Sequence, residues 1–203
     1  GVTNVSQGEI YLRDLVAGTT TWVTTNARAL VLSVMSLNGI EPVPAHPVLS
    51  DDGRYVAFKS GWINGTQGQI KATVIMQYDC STAQTTIISP DGYAPWLQND
   101  DVYGPEMTPD GRFVAYAASN AVSAGVGVFL WDAQTGSNEL VSVAQDGSFP
   151  TNTVSETPAL SPDGRFVVFL SNATNLTGNV VSNGFHVYLR DRQTGVTLLM
   201  DAD

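Results

Sequence analysis

The chain is predicted to be all-β and built from tandem four-stranded antiparallel units. Three observations carry this: a twelve-residue element recurs three times, a shorter element alternates with it, and the strands they imply are apolar on both faces. Pro47 to Phe58 aligns without gaps on Pro105 to Tyr116 and on Pro158 to Phe169. The shared pattern runs Pro, any residue, Leu or Met, Ser or Thr, Pro or Asp, then Asp-Gly-Arg-aromatic-Val-Ala/Val-aromatic. Its Asp-Gly pairs start at 52, 110 and 163, which are 58 and 53 residues apart, a period suited to four strands with some long connections. The shorter element is Ile10 to Asp14, Ile75 to Asp79, Val128 to Asp132 and Val187 to Asp191, and three of its copies run on into Gly18, Gly136 and Gly195.

Each piece of the unit has a local reason. Ser or Thr, then Pro or Asp, then Asp-Gly matches a type I turn closed by a residue at positive φ, the three-residue hairpin loop with a glycine bulge. The aromatic-Val-Ala-aromatic run that follows fills both faces of a strand, as in sheets stacked face to face. The shorter element supplies a third strand. A fourth, rich in Thr and β-branched residues, is expected at Thr19 to Thr25, Thr85 to Ser89, Leu140 to Val143 and Val196 to Met200. The uncharged stretch from Phe113 to Trp131 reaches membrane-spanning length, but Ser119, Asn120, Ser123, Gly125 and Gly127 in its middle mark two strands and a loop. No segment shows capped helical periodicity, and the apolar run from Ala29 to Leu37 stays undecided between states.

Composition bounds the function. The chain has 203 residues, 43% hydrophobic and 14% charged, with 19 acids against 9 bases and a net charge of -10. That field is opposite to what a phosphate backbone or an anionic membrane requires, so no nucleic-acid partner is expected. One cysteine, Cys80, and two histidines rule out an internal disulfide and a Cys/His zinc site, and neither a metal nor a cofactor is expected. No transmembrane segment is expected either. No signal peptide is visible at Gly1, which leaves a cytosolic chain, a processed one or a piece of something longer.

Short strands in fours, tandem repetition and two-sided apolarity are the marks of a β-propeller. The Pro-x-Leu-Ser-Pro-Asp-Gly-Arg-aromatic-Val-Ala-Phe element, followed by aromatic-Leu-Arg-Asp-x-x-Thr-Gly, resembles the TolB-type propeller repeat, a WD-like repeat without the Trp-Asp signature, over about Gly8 to Met200. Such blades serve as periplasmic scaffolds, gating domains of prolyl-type peptidases, polysaccharide lyases and surface modules, so the resemblance implies a fold and leaves the activity open. With strands labelled A to D from the first of each unit, residues 1–28 are expected to give strands C and D of one blade. Residues 46–90, 104–144 and 156–201 are expected to give complete blades. That is three and a half blades, read as part of a propeller of about six to eight. Two copies would leave two C-D halves with no A-B between them, and cannot close a regular ring.

Tight turns join A to B and C to D on one end of the disc. The other end carries long, dissimilar connections: 26–46, 61–71, 90–104, 144–157 and 171–184. Loops on a rigid scaffold collect binding residues, so a protein or glycan partner is expected on the long-loop end, with Trp62, Trp96, Asp100, Asp101 and Tyr103 as candidate contacts. Tryptophan beside carboxylates and amides suits stacking on a sugar, and paired aspartates suit calcium. The plainer alternative is that the tryptophans cover blade edges and the acids are solvated. His46 and His186 stand beside strands without a second ligand, and no Gly-x-Ser-x-Gly elbow is present, so no catalytic residue is assigned.

The start of strand B should lie beside the end of strand C. Arg54 is therefore expected next to Asp79, Arg112 next to Asp132, and Arg165 next to Asp191, while each Asp can also accept N–H groups of its own turn. The function expected is a non-catalytic propeller module that binds or scaffolds in a periplasmic or cell-surface assembly, together with remaining blades or neighbouring subunits. The rivals are a gating or catalytic propeller of a peptidase or lyase whose active residues lie elsewhere, and a structural subunit of a surface layer or filament.

Overall fold

The computed structural model describes residues 8–34, 42–64, 69–92, 104–120, 125–179, 181–182 and 184–201. These form a half-blade, β1 (Tyr11–Asp14) and β2 (Thr19–Trp22), and a helix, α1 (Ala27–Val34). Three four-stranded blades follow. The first is β3 (Pro42–Leu49), β4 (Tyr55–Asn64), β5 (Gln69–Asp79) and β6 (Gln84–Gly92). The second is β7 (Glu106–Met107), β8 (Phe113–Asn120), β9 (Gly125–Asp132) and β10 (Ser137–Leu140). The third is β11 (Ser155–Leu160), β12 (Phe166–Ser171), β13 (His186–Asp191) and β14 (Val196–Leu199). Every blade is an antiparallel meander, and one bridge, Gly92 to Ala118, joins the edge of the first blade to the second.

The repeat places its side chains by strict alternation. In aromatic-Val-Ala-aromatic, the Val and the last aromatic face the preceding blade, and the residue between them faces the next. Val56 and Phe58 thus pack on the half-blade and α1, with Val23, Ala27, Val31, Met76 and Tyr78. Val114 and Tyr116 pack on Ala57 and Ile75 of the first blade. Val167, Phe169 and Tyr188 pack on Ala115, Val128 and Leu130 of the second. The core is therefore a series of layers between blades.

The turns read as their chemistry requires. Gly53, Gly111 and Gly164 have φ of 72°, 74° and 68°, the left-handed conformation that closes each turn. Ser50 Oγ donates to Asp52 Oδ1 at 2.7 Å, Asp52 Oδ1 accepts the Arg54 N–H at 2.9 Å, and Ser50 Oγ accepts the Tyr55 N–H at 2.9 Å. Thr108, Asp110, Arg112 and Phe113 repeat this set, as do Ser161, Asp163, Arg165 and Phe166. The serine hydroxyl's hydrogen bond, before any other cause, holds Asp52 and Asp163 below the usual carboxylate range. At the next layer up, a Cβ on Gly111 would overlap the Tyr55 ring and one on Gly164 would overlap the Phe113 ring. The turn glycine is thus also the contact through which one blade sits on the last.

Several expectations change. The undecided apolar run begins as helix over Ala27–Val34, with Ala27 and Val31 buried one turn apart against the first blade; residues 35–41 lie outside the described set. The fourth strand of the second blade is Ser137–Leu140, with Val141 and Ser142 both directed at the Val128 carbonyl, so the regular ladder ends where Leu140 to Val143 was expected to carry it. The connection expected at 61–71 is mostly strand. β4 continues to Asn64 through a bulge at Gly61 and Ile63, and Trp62 pairs with Pro42 instead of standing in a loop.

Candidate functional site

The tight-turn end is braced the same way three times. Arg54 Nε and Nη2 lie 3.1 and 2.8 Å from the Asp79 carboxylate oxygens, Arg112 lies 3.0 and 2.8 Å from Asp132, and Arg165 lies 3.0 and 2.7 Å from Asp191. The expected register is therefore correct, and each pair is bidentate. Each Asp also accepts from its own turn: the Ser81, Gln134 and Gln193 N–H groups at 2.8, 2.9 and 3.0 Å. The arginine hydrogen bonds, before any other cause, hold Asp79, Asp132 and Asp191 below the usual carboxylate range, and the carboxylates in turn raise the arginines. The guanidinium carbons lie 4.6 Å from the centres of the Tyr55, Phe113 and Phe166 rings. Asp14 accepts the Val16 and Ala17 N–H groups at 2.8 Å and has, among the described residues, neither a strand B beside it nor an arginine partner.

The inner strands β3, β7 and β11 converge on a cleft of about 350 Å³ lined by His46, Pro47, Val48, Glu106, Thr157 and Pro158 among others. Two inner strands are kinked at the same place in the repeat. His46 and Thr157 each precede the repeat proline and adopt φ of 53° and 50°, where a residue before proline is ordinarily extended. Register shifts fall there, between Ala45 and Val48 and between Glu156 and Ala159. This backbone costs on the order of 1–3 kcal/mol per residue and persists only where its surroundings enforce it. The bulge places the side chain before the proline in the cleft wall. At the corresponding position of the second blade stands Gly104, where a Cβ would come 2.7 Å from His46 Cβ, so only glycine lets the two inner strands approach.

Carboxylates sit along the same strands. Desolvation pushes the Glu106 and Glu156 carboxyls up, although Glu106 is exposed as a whole residue. The cleft offers proline and valine walls, an imidazole, a hydroxyl and a carboxylate more easily protonated than usual. That set suits an extended segment or small ligand carrying hydrogen-bond donors. Among the described residues, no group of three or more His, Cys, Asp and Glu is placed to hold a metal ion.

A second cleft, about 430 Å³, opens between the second and third blades, lined by Gln145, Thr177, Asn179, Arg190 and Thr197. Arg190 Nη1 donates to the Gly195 carbonyl at 2.7 Å and to Thr197 Oγ1 at 3.0 Å, which closes the β13–β14 hairpin. Arg13 donates to Thr20 in the same register of the half-blade, so the role is structural.

Ser182, His186 and Asp201 line up in the order of a nucleophile relay, with His186 Nε2 3.2 Å from Ser182 Oγ and Nδ1 3.3 Å from Asp201 Oδ2. Nε2 is also near the Ser182 carbonyl oxygen at 3.3 Å, an acceptor that favours a proton on Nε2, whereas a relay needs Nε2 unprotonated to take the serine proton. Ser182 lines neither of the two clefts above. Burial pushes the Cys80 thiol up, away from a reactive thiolate.

Of the candidate contacts, Trp62 lies in β4 with its side chain outside the described residues, and Trp96, Asp100, Asp101 and Tyr103 lie outside them altogether. The sequence reading set His46 aside and missed Glu106, Glu156 and Thr157. The available signal was the residue before the proline of each repeat, which is His, Gly and Thr while the proline itself holds constant.

Four-stranded antiparallel blades, layered face to face with their first strands converging on a cleft, make this a β-propeller. No protein-family model matches the chain, and no curated protein does. Among solved structures, it is similar to a protein assigned as TolB from Agrobacterium tumefaciens, at 17% identity and a TM-score of 0.52, over 97% of this chain and 57% of that one. It is similar to a prolyl endopeptidase at 14% identity and a TM-score of 0.56, over 95% and 26%. It is also similar to the β-propeller domain of the Trilobed protease from Pyrococcus furiosus at 13% and 0.51, over 77% and 42%. At these identities the likeness is one of fold, and the chain spans between 26% and 57% of the length of these structures.

Proposed function

We propose that this chain is a binding or scaffolding propeller module of an extracytoplasmic assembly, taking a protein or glycan partner at the inner-strand cleft and the adjoining long connections. One contrast carries the proposal: the tight-turn end uses its charged side chains on blade register, whereas the cleft holds Glu106, Thr157 and a strained His46 in a cavity the repeat does not need for stacking. Trp62, Trp96, Asp100, Asp101 and Tyr103 belong to the same proposal as contacts on the connections. The acidic charge and the likeness to a TolB propeller support a location in the periplasm or at the cell surface. Among the described residues no helix is long and apolar enough to cross a membrane.

The test is binding of the intact chain to arrayed glycans and to peptides from a periplasmic extract. Glu106→Gln and Trp62→Ala should each lower binding at least severalfold while the variant stays folded by circular dichroism, and Arg112→Ala should not lower it. Equal losses from Arg112→Ala would sink the proposal. A gating role for a peptidase is the second reading, favoured by the prolyl endopeptidase likeness; peptide turnover by the isolated chain would replace binding with catalysis.

A further inference from the structure

The residue just before the strand C aspartate packs between blades at the first two described junctions. Tyr78, paired with Val56, is 3% exposed in the layer between the half-blade and the first blade. Trp131, paired with Val114, is 6% exposed in the layer between the first blade and the second. The next copy is Arg190, paired with Val167 in the same register. Where the two aromatics close their layers, the cleft of about 430 Å³ opens beside Arg190, within the roughly 300–1,000 Å³ usual for small-molecule sites. Both of its walls belong to described blades, with Val143, Gln145 and Gly147 after β10 on one side and Arg190, Val196 and Thr197 on the other. A further blade would stack on the opposite face of the third blade, which carries Val168, Leu189 and Leu198, and would leave this cleft open.

Closing the β13–β14 hairpin takes one nitrogen of the guanidinium, Nη1. Nε is buried with no hydrogen-bond partner, and Nη2, on the same edge, has none among the described residues. In Arg54, Arg112 and Arg165 that Nε–Nη2 edge takes the two oxygens of an aspartate. The chain itself therefore shows what the edge fits, a carboxylate held bidentate. A buried donor left unpaired is unfavourable, and no Asp or Glu is among the described residues lining the cleft to supply the acceptor. Asp146, next to Gln145, turns its Oδ1 to the Ser148 N–H and hydroxyl at 2.9 and 2.6 Å. Asn179, Thr177 and Thr197 add polar groups to the lining, and Val143 and Val196 add aliphatic surface.

We infer that this cleft binds a small ligand through a carboxylate seated on the Nε–Nη2 edge of Arg190, with the neighbouring amide and hydroxyls taking polar groups on the rest of the ligand. A sugar acid and the C-terminus of a short peptide both present that carboxylate, and the test separates them. The site lies apart from the inner-strand cleft, and the inference does not rest on the reading given to that cleft.

NMR titration of the isotope-labelled intact chain tests it with two matched pairs of probes, gluconate against gluconamide and N-acetyl-alanyl-alanine against its C-terminal amide. At least one carboxylate should shift the Gln145, Gly178 and Thr197 amides saturably and bind at least tenfold more tightly than its neutral partner; the pair that responds names the source. Arg190→Lys keeps the charge and loses the fork, and should weaken binding at least fivefold. Arg190→Tyr puts the residue of the first blade into the third, and should fill the cleft and abolish the shifts while circular dichroism shows a folded chain. If that variant does not fold, the probe pairs and Arg190→Lys still decide. Neither carboxylate saturating overturns the inference. So does a neutral partner that binds equally well, an Arg190→Lys chain that binds as the wild type does, or a folded Arg190→Tyr chain that keeps the shifts.

Discussion

The two ends of the disc obey different rules. At the tight-turn end the three blades repeat one another atom for atom: hydroxyl, carboxylate, left-handed glycine, bidentate arginine and stacked ring recur with distances that agree within a few tenths of an ångström. At the other end the described connections differ from one another. One connection is a helix, one lengthens a hairpin, and one is held by Gln145, whose amide nitrogen donates to the Thr177 carbonyl at 3.3 Å while its oxygen accepts the Gly178 N–H at 2.8 Å. A four-stranded blade needs its short turns solved once and leaves the long ones free, and freedom on a rigid frame is where recognition accumulates.

The largest expected effect separates stacking from turn geometry within the repeated end. Gly53, Gly111 and Gly164 share a φ near 70°, but a Cβ on Gly53 meets nothing within 4 Å, since no strand B of the half-blade is among the described residues. Gly53→Ala should cost about 1–2 kcal/mol for the left-handed backbone alone. Gly111→Ala and Gly164→Ala should add about 1–3 kcal/mol for overlap with the ring below. Urea midpoints check this, and equal losses at all three positions would show that the turn glycines do not seat the blades.

Next in size are the ion pairs. Asp132→Asn keeps an acceptor for the Gln134 N–H and removes the charge facing Arg112. It should lower the urea midpoint less than Gly111→Ala, and the difference from wild type should shrink in high salt because the arginines are partly exposed. The folded pKa values of Asp79, Asp132 and Asp191 lie below their unfolded values. Their contribution is therefore complete above the ordinary carboxylate pKa and is lost as pH falls below about 4. Thermal melts from pH 6 to pH 2 should show wild type and Asp132→Asn converging.

The smallest effect has the opposite sign and belongs to the inner strands. Glu106 and Glu156 have folded pKa values above the unfolded ones, so what they contribute is present at low pH and lost as pH rises through the folded value. Glu106→Gln with Glu156→Gln should raise the melting temperature slightly at pH 7 and leave it unchanged near pH 3. A drop at pH 7 would mean that the carboxylates are paired and hold the inner strands together.

The sequence by itself determined the blades, the turn type, the arginine–aspartate register and which end of the disc is uniform. Each follows from local rules: alternation along a strand, glycine at positive φ, and the fixed offset between the start of one strand and the end of its neighbour. Trp62 shows where locality stops. Read as a loop residue, it sits in β4 because Pro42, twenty residues earlier, pairs with it. The helix at Ala27 was hidden for a similar reason: eight residues without a capping signal are held by burial against Phe58 and Met76 of the next blade. Only the tertiary structure decided that His46 and Thr157 turn left-handed before their prolines, and that Gly104 is small because His46 presses on it. In each case the deciding partner stands on another strand or another blade, where no periodicity within a segment can report it.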